Sequence, residues 1–252
     1  MASESGGGID AMGQFKLTTA FGEPGASVYF TQSNVMMLVA CVLILGTLVI
    51  GMRRRAMVPG RLQSLAELAY TGVLSMCEST IGHGGRKFFP FIFTLFAFIL
   101  LGNLLGVFPL FFTFTSHIAV TLALTILVFV MTTVVGIWMH GFHFFSYFVP
   151  QGVPKVLLPL LVPIEILSYL SRLISLSVRL FANMMAGHVM LEVFGAFVVM
   201  LGAAGLLGYL PAAVSLGVNV LLIGFEFLVA VLQAYVFAIL TCIYLHDAVH
   251  LH

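Results

Sequence analysis

The sequence predicts an all-α polytopic membrane protein with about five membrane-inserted helices and one amphipathic surface helix, ending in a long, strongly tilted helical hairpin. Three observations predict it. Of 252 residues, 61% are hydrophobic and only 8% charged, against about 25% charged in an ordinary soluble domain. Folded in water, such a chain would expose more apolar surface than one globule hides, so its solvent is lipid. The apolar residues also fall into runs of the roughly 20 residues that span a bilayer. Finally, the last two runs are each about 40 residues long. As helices they would measure roughly 60 Å, twice the hydrocarbon thickness of about 30 Å, so they must tilt or kink.

Residues 1–33 form a polar, glycine-rich segment, and 34–252 a single integral membrane domain. No early apolar run follows a basic start, so no cleaved signal is expected, and residues 1–9 read as disordered. The first span covers about 34–51 and runs into Arg53, Arg54 and Arg55. An amphipathic helix follows over about 60–80, with Leu62, Leu65, Leu68 and Tyr70 among polar residues. Spans at about 88–112 and 117–138 come next, then an aromatic, proline-punctuated interfacial connector. The hairpin occupies about 156–203 and 209–246, turning through Gly202, Gly205 and Gly208.

With the N-terminus outside and five crossings, Arg53, Arg54, Arg55, Arg61, Arg86, Lys87 and Lys155 all fall inside and only Lys16 outside. The positive-inside rule favours that topology, which leaves the C-terminus cytoplasmic. A net charge of +1 gives no reason to expect nucleic acid. Cys41, Cys77 and Cys242 read as unpaired small hydrophobes. No phosphate loop, HExxH or nucleophile elbow occurs, so neither hydrolase chemistry in this chain nor a cofactor or metal is expected. His246 and His250, at i and i+4, read as a solvated helix end rather than a metal site, and His140 and His143 as interfacial.

The hairpin carries polar residues at helical spacing. Glu165, Ser168, Arg172, Ser175, Arg179 and Asn183 are separated by 3, 4, 3, 4 and 4 residues and so share one stripe. His188 and Glu192 project from roughly the opposite face. On the last helix Asn219, Glu226 and Gln233 recur every seven residues, and Tyr244 joins their face. Taken alone, His188 reads as a hydrogen-bonded core histidine, and Glu165 and Arg172 read equally well as a structural pair near the interface. Arg179 and Glu226 read as functional. A charge in mid-membrane costs about 2.5–3.5 kcal/mol, and an arginine cannot discharge. An acid, a histidine and a fixed cation together mark an ion path.

These residues carry a family resemblance. "RLFANMMAGH" with "LQAYVFAILTCIYL" closely resembles the a subunits of F-type ATP synthases. "DAMGQFKL", "GNLLGVFP", "FTFTSHIAVTLAL" and "PIEILSYLSRLISLSVRLFANMMAGH" extend the likeness over nearly the whole chain. The resemblance implies a surface helix, spanning helices and a nearly membrane-parallel hairpin around a rotating ring of c subunits. By that resemblance Arg179 matches the essential arginine, and Gln233 the glutamine beside it. His188 and Glu226 match two polar positions of the proton path, with acid and histidine exchanged relative to some bacterial members. Asn183, Asn103, Glu165 and Ser175 match lesser polar positions. Gly106 stands where some members have an acid.

The implied role is that of a proton-translocating stator with two offset half-channels. Glu226, His188, Glu192 and Asn219 lie in the outer one, and a buried Arg179 separates the two and promotes deprotonation of the ring carboxylate. The implied partners are the c-ring, the peripheral-stalk b subunits, the rest of the complex and membrane lipid. A bacterial inner membrane is the expected location, with a mitochondrial inner membrane as the alternative. Two other classes fit less well. A secondary transporter predicts internal symmetry and broken helices, neither of which the sequence has. A membrane anchor has no use for Arg179 or Glu226.

Overall fold

The computed structural model describes residues 19–21, 30–53, 60–82, 84–108, 113–141, 157–205 and 208–250. Helices dominate them: α1 Gln32–Arg53, α2 Arg61–Ile81, α3 Gly85–Val107, α4 Ile118–His140, α5 Leu158–Ala203 and α6 Tyr209–Val249. All but α2 are long and apolar enough to cross a membrane. A 3-10 turn, Phe114–Ser116, lies between α3 and α4. Within the polar N-terminal segment two short strands, β1 Thr19–Phe21 and β2 Phe30–Thr31, pair antiparallel with Thr19 opposite Thr31. Residues 1–9, Lys16, Arg54, Arg55, His143 and Lys155 lie outside the described residues.

The expected second span, 88–112, ends earlier than its hydropathy implies. Helix α3 stops at Val107, and Phe108 is extended, with φ −81° and ψ 123°. Proline follows at position 109, and its ring disfavours a helical conformation in the residue before it. Thr113 and the 3-10 turn pack against α3. There the helix offers two notches. A Cβ at Gly102 would stand 2.4 Å from the Phe114 ring, and one at Gly106 would stand 2.6 Å from Thr113 Cγ2. Only glycine permits this approach.

The hairpin matches its expected length, with 46 residues in α5 and 41 in α6. Pro159 and Pro211 sit in the first turns, where no intrahelical N–H bond is lost. Gly205 makes the turn at φ +85°. A Cβ at Gly208 would meet the Leu201 carbonyl oxygen at 1.9 Å, so the turn closes only around a bare backbone.

Helix α6 is the axis of the packing. Its buried positions, among them Ala212, Ser215, Glu226, Ala230, Gln233, Ala234, Phe237, Ala238, Thr241, Cys242 and Leu245, recur at three- and four-residue intervals. Phe237 packs with Leu95, Ile99, Val128, Leu176 and Leu180, while Ala238, Cys242 and Leu245 pack with Val73, Cys77, Ile81, Ile92 and Val135. Small residues on α6 let neighbours approach closely, which is what holds helices together where lipid removes the hydrophobic drive. Cys77 and Cys242 are free thiols with sulfurs 3.9 Å apart in this core, and Cys41 is exposed. Helix α2 adds Val73, Met76, Cys77 and Ile81 to the core and leaves Leu62, Leu65 and Leu68 outside. That asymmetry is the amphipathic pattern read from its sequence.

Candidate functional site

The site lies where α5 and α6 run antiparallel past each other. Four contacts set the register: Arg172 with Asp247, Asn183 with Gln233, Gly187 with Glu226 and Gly195 with Asn219. As numbers rise on α5 they fall on α6, as a hairpin requires.

Glu226 is buried, and His188 Nδ1 lies 3.4 Å from its Oε1. Space for the carboxylate comes from Gly187, where a Cβ would stand 2.9 Å from Oε1. Two turns on, a Cβ at Gly195 would stand 3.6 Å from Asn219 Nδ2. Glycines eight residues apart on α5 thus face polar residues seven apart on α6. The other ring nitrogen of His188, Nε2, lies 2.7 Å from Thr113 Oγ1 in the segment between α3 and α4. His188 therefore bridges three elements: its hydrogen-bond partner is Thr113, and the acid Glu226 stands at ion-pair distance on its other side.

Toward the other side, Asn183 Nδ2 donates to Gln233 Oε1 at 2.8 Å. Gln233 is buried, as is Asn103, whose Nδ2 reaches the Ala230 carbonyl at 3.5 Å. Among the described residues, Asn103 Oδ1, Asn219 Oδ1, Gln233 Nε2 and both oxygens of Glu226 accept or donate no hydrogen bond within the protein. Buried polar atoms are ordinarily paired, with protein or with water, so this line of atoms is suited to a hydrated route.

Arg179 differs from the expectation that it is buried. Its side chain is exposed, and among the described residues no carboxylate stands within ion-pair distance. The reason is rotational. The residues of α5 that are buried are Leu176, Ser177, Leu180 and Met184, centred roughly a third of a turn around the helix from Arg179. Ser168, Ser175 and Asn183 share its open face and are exposed too. Glu165 and Glu192 are half-buried.

Arg172 also shares the stripe, but its Nη1 donates to Asp247 Oδ2 at 2.9 Å, and its guanidinium stands 5.6 Å from the Tyr244 ring centre. The sequence reading offered Glu165 as its companion. Asp247 takes that place because the hairpin folds the end of α6 back over the first half of α5. Beside it His140 Nε2 donates to the Val249 carbonyl at 3.0 Å, and the rings of His246 and His250 lie tilted with centroids 4.6 Å apart.

Sequence reasoning missed Thr113, Asp247, Gly187 and Gly195. The glycines could have been found, because their spacing on α5 matches that of Asn219 and Glu226 on α6. Nothing local marks Thr113 or Asp247.

Comparison with known proteins shows the family. The family model described as ATP synthase A chain matches residues 34–246. A protein of Granulibacter bethesdensis named ATP synthase subunit a is 62% identical over 245 residues, 97% of this chain and 98% of its own. The subunit a of Acidiphilium cryptum is 60% identical over 253 residues and covers both chains fully. That of Rhodospirillum rubrum is 53% identical over 228 residues, 90% of this chain and 92% of its own. The chain belongs to the ATP synthase A chain family.

Proposed function

We propose that this chain is the proton-conducting stator of a rotary ATP synthase in a bacterial inner membrane. It works against a ring of c subunits and is held by peripheral-stalk b subunits. The observation that carries the proposal is the pairing of opposites on one hairpin: an exposed Arg179 in an apolar helix, with no carboxylate of the described residues within ion-pair distance, and an enclosed His188–Glu226 pair on the other side. Bare cations do not face lipid, so the open face of α5 needs a partner with a compensating charge. A carboxylate carried past on the ring supplies that charge transiently.

The steps follow from solvation. A neutral carboxyl group on the ring can face lipid, whereas a carboxylate cannot. Near Arg179 the guanidinium favours the charged form, so the proton leaves there. Protons reach the ring from outside along Asn219, Glu226 and His188, whose buried polar atoms can hydrogen-bond a file of water. Glu192 lies one helical turn from His188 on the same side. They leave to the inside through a second, offset path. Arg179, with Ser175 and Asn183 beside it, stands between the two paths, and its fixed charge repels a proton crossing directly. Each proton that falls through the membrane potential releases about 2.3 kcal/mol per 100 mV. The length of α5 and α6 fits a strongly tilted hairpin following the ring, with Gln233 and Asn183 tying its two helices together one turn from Arg179. The N-terminus outside and the C-terminus inside complete the reading.

The test is ATP-driven proton pumping in inverted membrane vesicles. Arg179→Ala is expected to abolish it with the complex still assembled, and normal pumping would overturn the proposal. Co-purification with a c-ring and a soluble ATPase head separates a stator from a transporter or an anchor.

A further inference from the structure

Resting on the proton-path reading above, we infer that Thr113 is a positioning residue for His188: its hydroxyl engages Nε2 in either protonation state and so keeps Nδ1 aimed at Glu226. The geometry is specific. Thr113 is buried, and its Oγ1 lies 2.7 Å from His188 Nε2 and 3.4 Å from the Gly106 carbonyl oxygen. His188 Nδ1, at the far side of the ring, lies 3.4 Å from Glu226 Oε1.

A hydroxyl both donates and accepts, and its hydrogen swings to suit. When Nε2 is bare, the Thr113 hydroxyl donates to it, and Nδ1–H points at the carboxylate. When Nε2 carries a proton, that N–H donates to Oγ1, and the hydroxyl hydrogen turns to the Gly106 carbonyl. One side chain therefore serves a neutral and a charged imidazole without moving the ring. A fixed donor such as an amide NH₂, or a fixed acceptor such as a carbonyl, would favour one state only.

The backbone around it is shaped for this contact. A Cβ at Gly106 would come within 2.6 Å of Thr113 Cγ2 and 2.7 Å of Oγ1. Thr113 thus occupies the notch that the missing side chain of residue 106 leaves. Ser116 Oγ donates to the Thr113 carbonyl at 2.6 Å, and the Phe114 ring fills the notch at Gly102. Ser116 and Phe114 pin the segment just after Thr113, and the Gly106 notch receives Thr113 itself, so the hydroxyl is held in place for His188.

The experiment uses the complete complex in inverted vesicles, with ATP-driven pumping normalised to assembled complex. Thr113→Val keeps the shape and removes the hydroxyl, and should slow pumping about three- to tenfold, the range that one lost hydrogen bond commands. Thr113→Ser restores the hydroxyl and should run within about twofold of the parent, on the same scale. Gly106→Ala pushes Thr113 away and should resemble Thr113→Val. Should Thr113→Val fail to assemble, Thr113→Cys, a weaker donor, should give an intermediate rate. Normal pumping by Thr113→Val (or by Thr113→Cys in its place), or slow pumping by Thr113→Ser, overturns the inference if His188→Ala is slow in the same assay. Normal pumping by Arg179→Ala overturns the underlying function instead, so the two failures are distinct.

Discussion

Arg172 and Arg179 stand seven residues apart on α5, on one stripe, in equally apolar sequence. The fold treats them oppositely. Arg172 is half-enclosed, bonded to Asp247 and set beside the Tyr244 ring. Arg179 is exposed, with no acid of the described residues in reach. An arginine with a partner in its own chain is satisfied at all times. One without must be satisfied by something that arrives, and in a membrane that something has to be protein or water. The same residue type is therefore a clasp at one position and, under the proposed function, a waiting charge at the other.

The largest effect should separate these roles. Arg179→Ala removes the charge on which the proposed mechanism turns, so ATP-driven pumping should fall to background while complex assembly persists. Arg179→Gln should do the same, because a neutral amide neither favours a ring carboxylate nor repels a proton. If either variant pumps normally, the contrast between the two arginines has no functional meaning.

Next come the groups behind the stripe. Glu226→Gln keeps the size of the side chain but cannot exchange a proton, and should slow flux about 10²-fold, the lower bound for losing one proton-transfer group. His188→Ala should act in the same direction. A milder probe is Gly187→Ala. Its Cβ would stand 2.9 Å from Glu226 Oε1, and the carboxylate, at the end of a flexible side chain, can move aside. Pumping should slow about two- to tenfold, the scale of one disturbed hydrogen bond, with assembly unchanged. Pumping by Gly187→Ala at the parental rate would show that the carboxylate position does not matter.

How much of this was legible in sequence depends on the range of the interaction. The spans, the amphipathic helix and the hairpin are written in local hydropathy. The misplaced end of α3 was local too: proline at position 109 carried the information, and a run of phenylalanines hid it. The stripe on α5 was legible from spacing, but which residues it buries was not, because that depends on where α3, α4 and α6 pack. His188 and Glu226 could be named from their chemistry and the family likeness, though their contact at 3.4 Å could not be measured. Thr113 lies 75 residues before His188 in sequence, in a segment with no periodicity. Only the notches at Gly102 and Gly106 bring it there.

The smallest effect belongs to Arg172. Its bond to Asp247 is about one-third exposed on both sides. Ion pairs of that kind contribute only about 0.2–1 kcal/mol where water reaches them. Asp247 sits in the last turn of α6, where an acid meets the negative end of the helix dipole, which weakens its own contribution further. Arg172→Gln should therefore keep a hydrogen bond to Asp247, assemble normally and retain most of the pumping rate. Arg172→Ala also removes the packing on Tyr244 and should lower the amount of assembled complex more than the rate per complex. Reversing the pair, Arg172→Asp with Asp247→Arg, should recover assembly, since a clasp needs only opposite charges. A loss of rate per complex in Arg172→Gln equal to that of Arg179→Ala would mean that the paired arginine, and not the exposed one, carries the mechanism.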